Sequence, residues 1–106
     1  MQPERNFSID LHGEVALVRG ASSGLGRRFA QVLASAGATV AITGRRRDRI
    51  EALAESICAE GGKALALVLD VRDAQAIAAA IDRVERELGL ITILVNNAGI
   101  ADANWA

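Results

Sequence analysis

Two spacings of apolar residues alternate along the chain. Short, nearly unbroken apolar runs at 14–18, 39–43, 63–69 and 91–95 read as strands, and such runs suit strands buried on both faces. Between them lie segments with helical spacing. Residues 25–36 align Leu25, Phe29, Val32, Leu33 and Ala36 on one stripe and leave Arg27, Arg28 and Gln31 on the other face. Residues 48–60, with Asp48 as the cap, carry Ile50, Leu53, Ala54, Ile57 and Cys58 inward. Residues 74–88, capped by Asp73, align Ile77, Ile81, Val84 and Leu88. Gly37, the pair Gly61-Gly62 and Gly89 stop the three helices. Gly13-Glu14 marks the turn into the first strand, and 1–8 read as a mobile lead-in whose end is anchored to the core by Phe7, Ile9 and Leu11.

Four strands alternating with three helices over short connections predict an α/β fold. Its expected form is a Rossmann-type, doubly wound parallel sheet of order 3-2-1-4, built from right-handed crossovers. In such a sheet a ligand sits outside the carboxyl ends of the strands, where the winding reverses between strands one and four. The segments at those ends are 20–26, 44–47, 70–71 and 96–99. All the glycine-rich and polar features of interest therefore fall on one edge.

The first of these segments is Gly20-Ala21-Ser22-Ser23-Gly24-Leu25-Gly26, an elbow between a strand and a helix. Glycine admits backbone angles closed to other residues and lets a ligand approach the main chain. The first turn of the following helix offers free N–H groups and a partial positive charge, a setting that suits a phosphate. The spacing is wider than G-x-G-x-x-G, and a turn that only packs the helix is the alternative reading.

Composition narrows the picture further. With 106 residues the chain makes one small domain, and 51% hydrophobic residues suffice for a core. A net charge of −1 gives no whole-chain preference for nucleic acid or an anionic membrane. The single Cys58 excludes an internal disulfide and a cysteine metal site. No apolar run approaches the roughly 20 residues of a membrane span, and the polar start lacks the core of a signal peptide. The expectation is a soluble, cytoplasmic protein without a metal. His12 has no partner in sequence and reads as a surface or hinge residue, Cys58 as a core residue, and Asp82, Arg83, Glu85, Arg86 and Glu87 as a wet helix face. Asp102 and Asn104 follow the last loop and could border a substrate.

Three features in combination carry a family resemblance: Gly20-x-x-x-Gly24-x-Gly26, Asp70-Val71 after strand three, and Asn96-Asn97-Ala98-Gly99 after strand four. Together they resemble the short-chain dehydrogenases/reductases, over residue 9 to about residue 100. The resemblance implies an oxidoreductase that interconverts an alcohol and a carbonyl of a small molecule, and a homo-oligomer when complete. It implies that Gly20, Ser22, Ser23, Gly24, Leu25 and Gly26 line the cofactor's phosphates and ribose. Asp70 would accept from the adenine amino group, Val71 would contact the ring, and Asn97, Ala98 and Gly99 would face the sugar next to nicotinamide. An NAD site needs a carboxylate at the end of strand two to accept from the ribose 2′-hydroxyl. This chain has Gly44 followed by Arg45-Arg46-Arg47. A guanidinium grips a 2′-phosphate with parallel hydrogen bonds, so Arg45, helped by Arg46, favours NADP(H) over NAD(H). The same arginines could also be a solvated helix start.

The chain departs from the family in two places. Arg19 stands where the family usually has a threonine whose hydroxyl ties the elbow to the Asn-Asn-Ala-Gly turn, and arginine accepts no hydrogen bond. Either Arg19 reaches toward phosphate or the elbow is distorted. The family's catalytic tyrosine, lysine, serine and further asparagine would all fall beyond residue 106; the chain has no tyrosine, and Lys63 is its one lysine. The expectation is a cofactor-binding half, residues 1–106 of an incomplete fold, with no catalytic residues of its own and no hydride transfer alone. Two other readings stay open: a non-catalytic nucleotide- or partner-binding module, and a methyltransferase using S-adenosylmethionine. Gly44 in place of an acid counts against the latter.

Overall fold

A strand that is apolar along its whole length has no face to give to water, so it settles in the middle of a sheet with both faces covered. In a computed structural model, which describes residues 9–21, 24–70 and 72–97, the run Val15–Arg19 (β1) does this. It pairs in parallel with Thr39–Gly44 (β2) on one side and Ile93–Asn96 (β4) on the other, and β2 pairs in parallel with Lys63–Val68 (β3). The order β3-β2-β1-β4 is the doubly wound arrangement expected from the alternation. Gly24–Ser35 (α1), Arg47–Ala59 (α2) and Ala74–Glu87 (α3) are the crossovers.

Alternate side chains of the strands feed two cores. Val18, Val40 and Ile42 pack with Ala30, Ala34, Ile50, Leu53 and Ile57 beneath α1 and α2. Val15, Leu17, Ala41 and Leu67 pack with Ala80 and Val84 of α3 on the opposite face. The register places Leu17 opposite Ala41, and Val18 opposite both Ile42 and Val95, so each core layer crosses adjacent strands; Leu94, opposite Leu17 on β4, is exposed.

Several expectations fail, each for a local reason. In α1 the face against the sheet is Gly26, Ala30 and Ala34, with Leu33 half-buried. Leu25, Phe29 and Val32 are 51%, 37% and 52% exposed. The large apolar residues do mark a stripe, but the helix turns its small residues to the sheet because only those let its backbone come close. Cys58 is exposed, not inward; it follows Ile57 by a 100° step that carries it off the buried face, and its Sγ lies 4.0 Å from the Ala64 carbonyl oxygen. Asp48 is not the cap of α2. The helix begins one residue earlier, Arg46 is the N-cap without a side-chain hydrogen bond, and Asp48 lies in the first turn.

Ile9 is exposed and anchors nothing, whereas Leu11 packs on the core and its N–H donates to the Ala36 carbonyl at 2.8 Å. Phe7 lies outside the described residues. His12 lies at the surface, as expected, where its Nδ1 meets Asp10 Oδ1. β4 starts at Ile93 because Thr92 meets β1 with its side chain as well as its backbone: Val15 N–H donates to Thr92 Oγ1 at 3.1 Å. No helix among the described residues is long and apolar enough to cross a membrane.

Asp73 caps α3 as expected, its side chain accepting from the N–H groups of Gln75 and Ala76 at 3.0 and 3.1 Å. The charged residues 82, 83 and 85–87 lie on the wet face of that helix, with Arg83 paired to Glu87 at 2.8 Å. Asp73→Ala should lower the free energy of unfolding by about 1 kcal/mol in urea titration. Asp48→Ala removes only a first-turn charge and should lower it by about 0.3–1 kcal/mol at low salt.

Candidate functional site

All four strands end on the same edge, and the ends of β1, β2 and β4 are tied together through the elbow. Gly20, with φ of 82°, turns the chain away from β1. Its N–H and that of Ala21 both donate to the Thr43 carbonyl, at 3.1 and 2.8 Å. The buried Thr43 hydroxyl donates back to the Val18 carbonyl at 3.2 Å. From the other side, Asn97 donates its N–H to the Arg19 carbonyl at 3.0 Å and its Nδ2 to the Gly20 carbonyl at 3.1 Å. Asn97 is only 4% exposed, so its side chain is a structural strut within the edge. These bonds supply a tie between elbow and β4 that does not depend on a threonine hydroxyl at position 19. Arg19 itself continues β1 in register, opposite Thr43 and Asn96, so the strand keeps its parallel pairing up to the elbow.

Helix α1 then approaches this knot very closely. A Cβ on Gly26 would lie 2.3 Å from the Gly20 carbonyl oxygen and 2.7 Å from Asn97 Nδ2. Only glycine fits. Gly24 is different: its φ of 60° favours glycine, but a Cβ there would meet nothing within 4 Å. Among the described residues nothing crowds Gly24 where α1 begins. The first turn holds no acidic residue, so nothing on the helix offsets the positive end of its dipole. Leu25 stands half-exposed in the same turn.

At the end of β2, Gly44 is buried and accepts from Leu69 N–H at 2.9 Å. Arg45 and Arg46 follow it and are exposed; no carboxylate occupies this strand end. At the end of β3 stands Asp70. Its Oδ1 accepts from Arg72 N–H at 2.9 Å and from Arg72 Nε at 3.1 Å, while Oδ2 accepts from Arg72 Nη2 at 2.9 Å. The Arg72 fork, then its backbone N–H, with a smaller contribution from the charge of Arg45, hold this carboxyl at about 2, below its ordinary 3.8. The Asp70 carbonyl also accepts from Asp73 N–H at 3.0 Å, which joins this turn to the cap of α3.

Thus Gly20, Gly26 and Asn97 are in contact, and Gly24, Leu25, Arg45, Arg46 and Asp70 lie at strand ends or helix starts on the same edge. Ser22, Ser23, Val71, Ala98 and Gly99 lie outside the described residues, as do Asp102 and Asn104. Two members of the arrangement went unnoticed in the sequence. Thr43 gives no signal inside an apolar strand. Arg72 does give one: an arginine two residues after an acid, in the tight turn before a helix cap.

The amino-acid sequence matches the family described as short chain dehydrogenase over residues 14–106. The chain belongs to this family. It is 48% identical over 99 residues to a short chain dehydrogenase of Pseudocercospora fijiensis, covering 93% of this chain and 32% of that protein. It is 41% identical over 96 residues to the 3-oxoacyl-acyl-carrier-protein reductase of Pseudomonas aeruginosa, covering 91% of this chain and 39% of that one. Among solved structures, L-sorbose reductase from Gluconobacter frateurii, complexed with NADPH and L-sorbose, superposes with a TM-score of 0.82 at 33% identity. That match covers 88% of this chain and 36% of the reductase. The chain therefore spans about a third of the length of its curated relatives.

Two substitutions separate close packing from backbone strain. Gly24→Ala should cost about 1–2 kcal/mol, the penalty of a left-handed residue with free space around it. Gly26→Ala should cost more, because the Gly20 carbonyl or the Asn97 side chain has to move; urea unfolding of both variants gives the order. Asp70 is expected to titrate near pH 2 by carboxyl NMR, and Arg72→Ala should bring its midpoint up toward 3.8. Since the folded value lies below the ordinary one, the pair adds stability above about pH 4 and loses it as pH falls toward 2.

Proposed function

We propose that this chain is the cofactor-binding part of an NADP(H)-dependent oxidoreductase that interconverts an alcohol and a carbonyl. The observation that carries the reading is the edge itself: a glycine elbow open at Gly24, with Gly44 and then Arg45 at the end of β2 where an acid would be needed to hold a 2′-hydroxyl. The residues fit such a cofactor. Gly20, Gly24, Leu25 and Gly26, together with Ser22 and Ser23 between them in the sequence, would take its phosphates and ribose at the positive end of α1. Arg45, with Arg46, offers guanidinium donors for a 2′-phosphate. Asp70 and Val71 would hold the adenine, and Asn97, Ala98 and Gly99 the sugar beside the nicotinamide. The solved reductase with NADPH and L-sorbose supports both the cofactor and a small-molecule substrate.

When bound, the nicotinamide would donate or accept the hydride at the substrate carbon. The residues of this chain bind and orient. The N–H groups at the start of α1 neutralise phosphate charge, and Asn97, locked by its bonds to Arg19 and Gly20, keeps the β4 end fixed against the elbow. No tyrosine stands among these 106 residues to pass a proton to or from the substrate oxygen.

Arg45→Asp in the intact protein tests the cofactor assignment. Replacing a charge-assisted donor by a like charge should weaken NADPH relative to NADH by about tenfold or more, measured by calorimetry. An unchanged ratio of affinities would mean that Arg45 is only solvated.

A further inference from the structure

Resting on that reading of the site, we infer that Arg72 is a positioning residue that sets base selectivity, leaving Asp70 one acceptor lone pair that takes an amino group and refuses a carbonyl.

An ionised carboxylate offers about four acceptor sites. In Asp70, Oδ1 receives both Arg72 N–H and Arg72 Nε, and Oδ2 receives Arg72 Nη2. Among the described residues three of the four sites are thereby used, all by one residue, and the remaining site is on Oδ2. The side chain of Asp70 is 38% exposed, so this last lone pair is open to a ligand at the end of β3. The fork also fixes the plane of the carboxylate, since two parallel bonds to a planar guanidinium leave it little freedom to rotate. The turn beneath is closed by the bond from Asp73 N–H to the Asp70 carbonyl, which holds both partners on one rigid corner.

The chemical consequence is selectivity by sign. Asp70 stays ionised through the physiological range, so it has no proton to donate. A base with an exocyclic amino group, such as adenine, supplies the donor that Oδ2 lacks. A base with a carbonyl at that place, such as hypoxanthine, sets two acceptors against each other. Without the Arg72 side chain only the backbone N–H of residue 72 would still hold Oδ1, so the carboxylate could turn about that one bond and present other lone pairs, with water filling the mismatch.

The test uses the intact protein and three probes: NADPH, its deamino (hypoxanthine) analogue, and NADH. The native protein should bind NADPH about tenfold more tightly than the deamino analogue, the value of one hydrogen bond to a charged group. Arg72→Ala should bring that ratio below about threefold while leaving the NADPH-to-NADH ratio unchanged. Arg72→Lys, which keeps the charge but not the fork, should fall between the two. A variant that merely loosened the fold would weaken all three probes together. A deamino ratio unchanged in Arg72→Ala overturns the inference, as does a native protein that prefers NADPH to NADH yet ignores the amino group. A native protein that discriminates the amino group through Arg72 but binds NADH as well as NADPH upholds this inference and overturns only the 2′-phosphate assignment.

Discussion

A helix can begin directly beneath the end of a strand only if their backbones nearly touch, and in this protein the contact is made at Gly26. The carbonyl of Gly20 and the side chain of Asn97 occupy the volume in which any larger residue would place its Cβ. Much follows from that approach. It brings the positive end of α1 to the elbow, and the small residues Ala30 and Ala34 continue it along the helix. It joins β1, β2 and β4 into one bonded edge through Thr43 and Asn97. The same contact explains why the larger apolar residues of α1 point elsewhere.

The electrostatics of this edge are divided. The elbow relies on backbone dipoles and has no acidic side chain to oppose an anion. The outer strand ends carry full charges, with Arg45 and Arg46 at β2 and the Asp70–Arg72 pair at β3. Exposed ion pairs contribute little to stability, so the Asp70–Arg72 fork matters for the state and orientation of the carboxylate more than for the fold. A phosphate-rich ligand with one hydrogen-bonding base matches this sequence of environments along the edge.

The topology was legible in the sequence because strand and helix periods differ and glycines punctuate them. The elbow and the polar strand ends were legible for the same reason. What failed involved direction. A stripe of Leu25, Phe29 and Val32 says that a helix has an apolar side, not that this side meets the sheet; close packing gave that place to Gly26, Ala30 and Ala34. Cys58 looked inward because a helical stripe has width, and it lies just past the edge. Asp48 looked like a cap because capping depends on where the helix starts, which one residue of extended backbone at Arg46 decided. The Arg72 fork and the Asp10–His12 pair are short-range contacts that turn geometry creates and periodicity does not record.

The central proposal is that the edge of the sheet at the carboxyl ends of the strands receives a dinucleotide. Amide NMR of the protein titrated with NADPH tests it most directly. The account predicts that the largest shifts fall on Gly20, Gly24, Gly26, Arg45, Asp70 and Asn97, at the carboxyl ends of the strands. Shifts centred instead on Gly13, Gly37, Gly61 and Gly89, at the opposite ends, would contradict it.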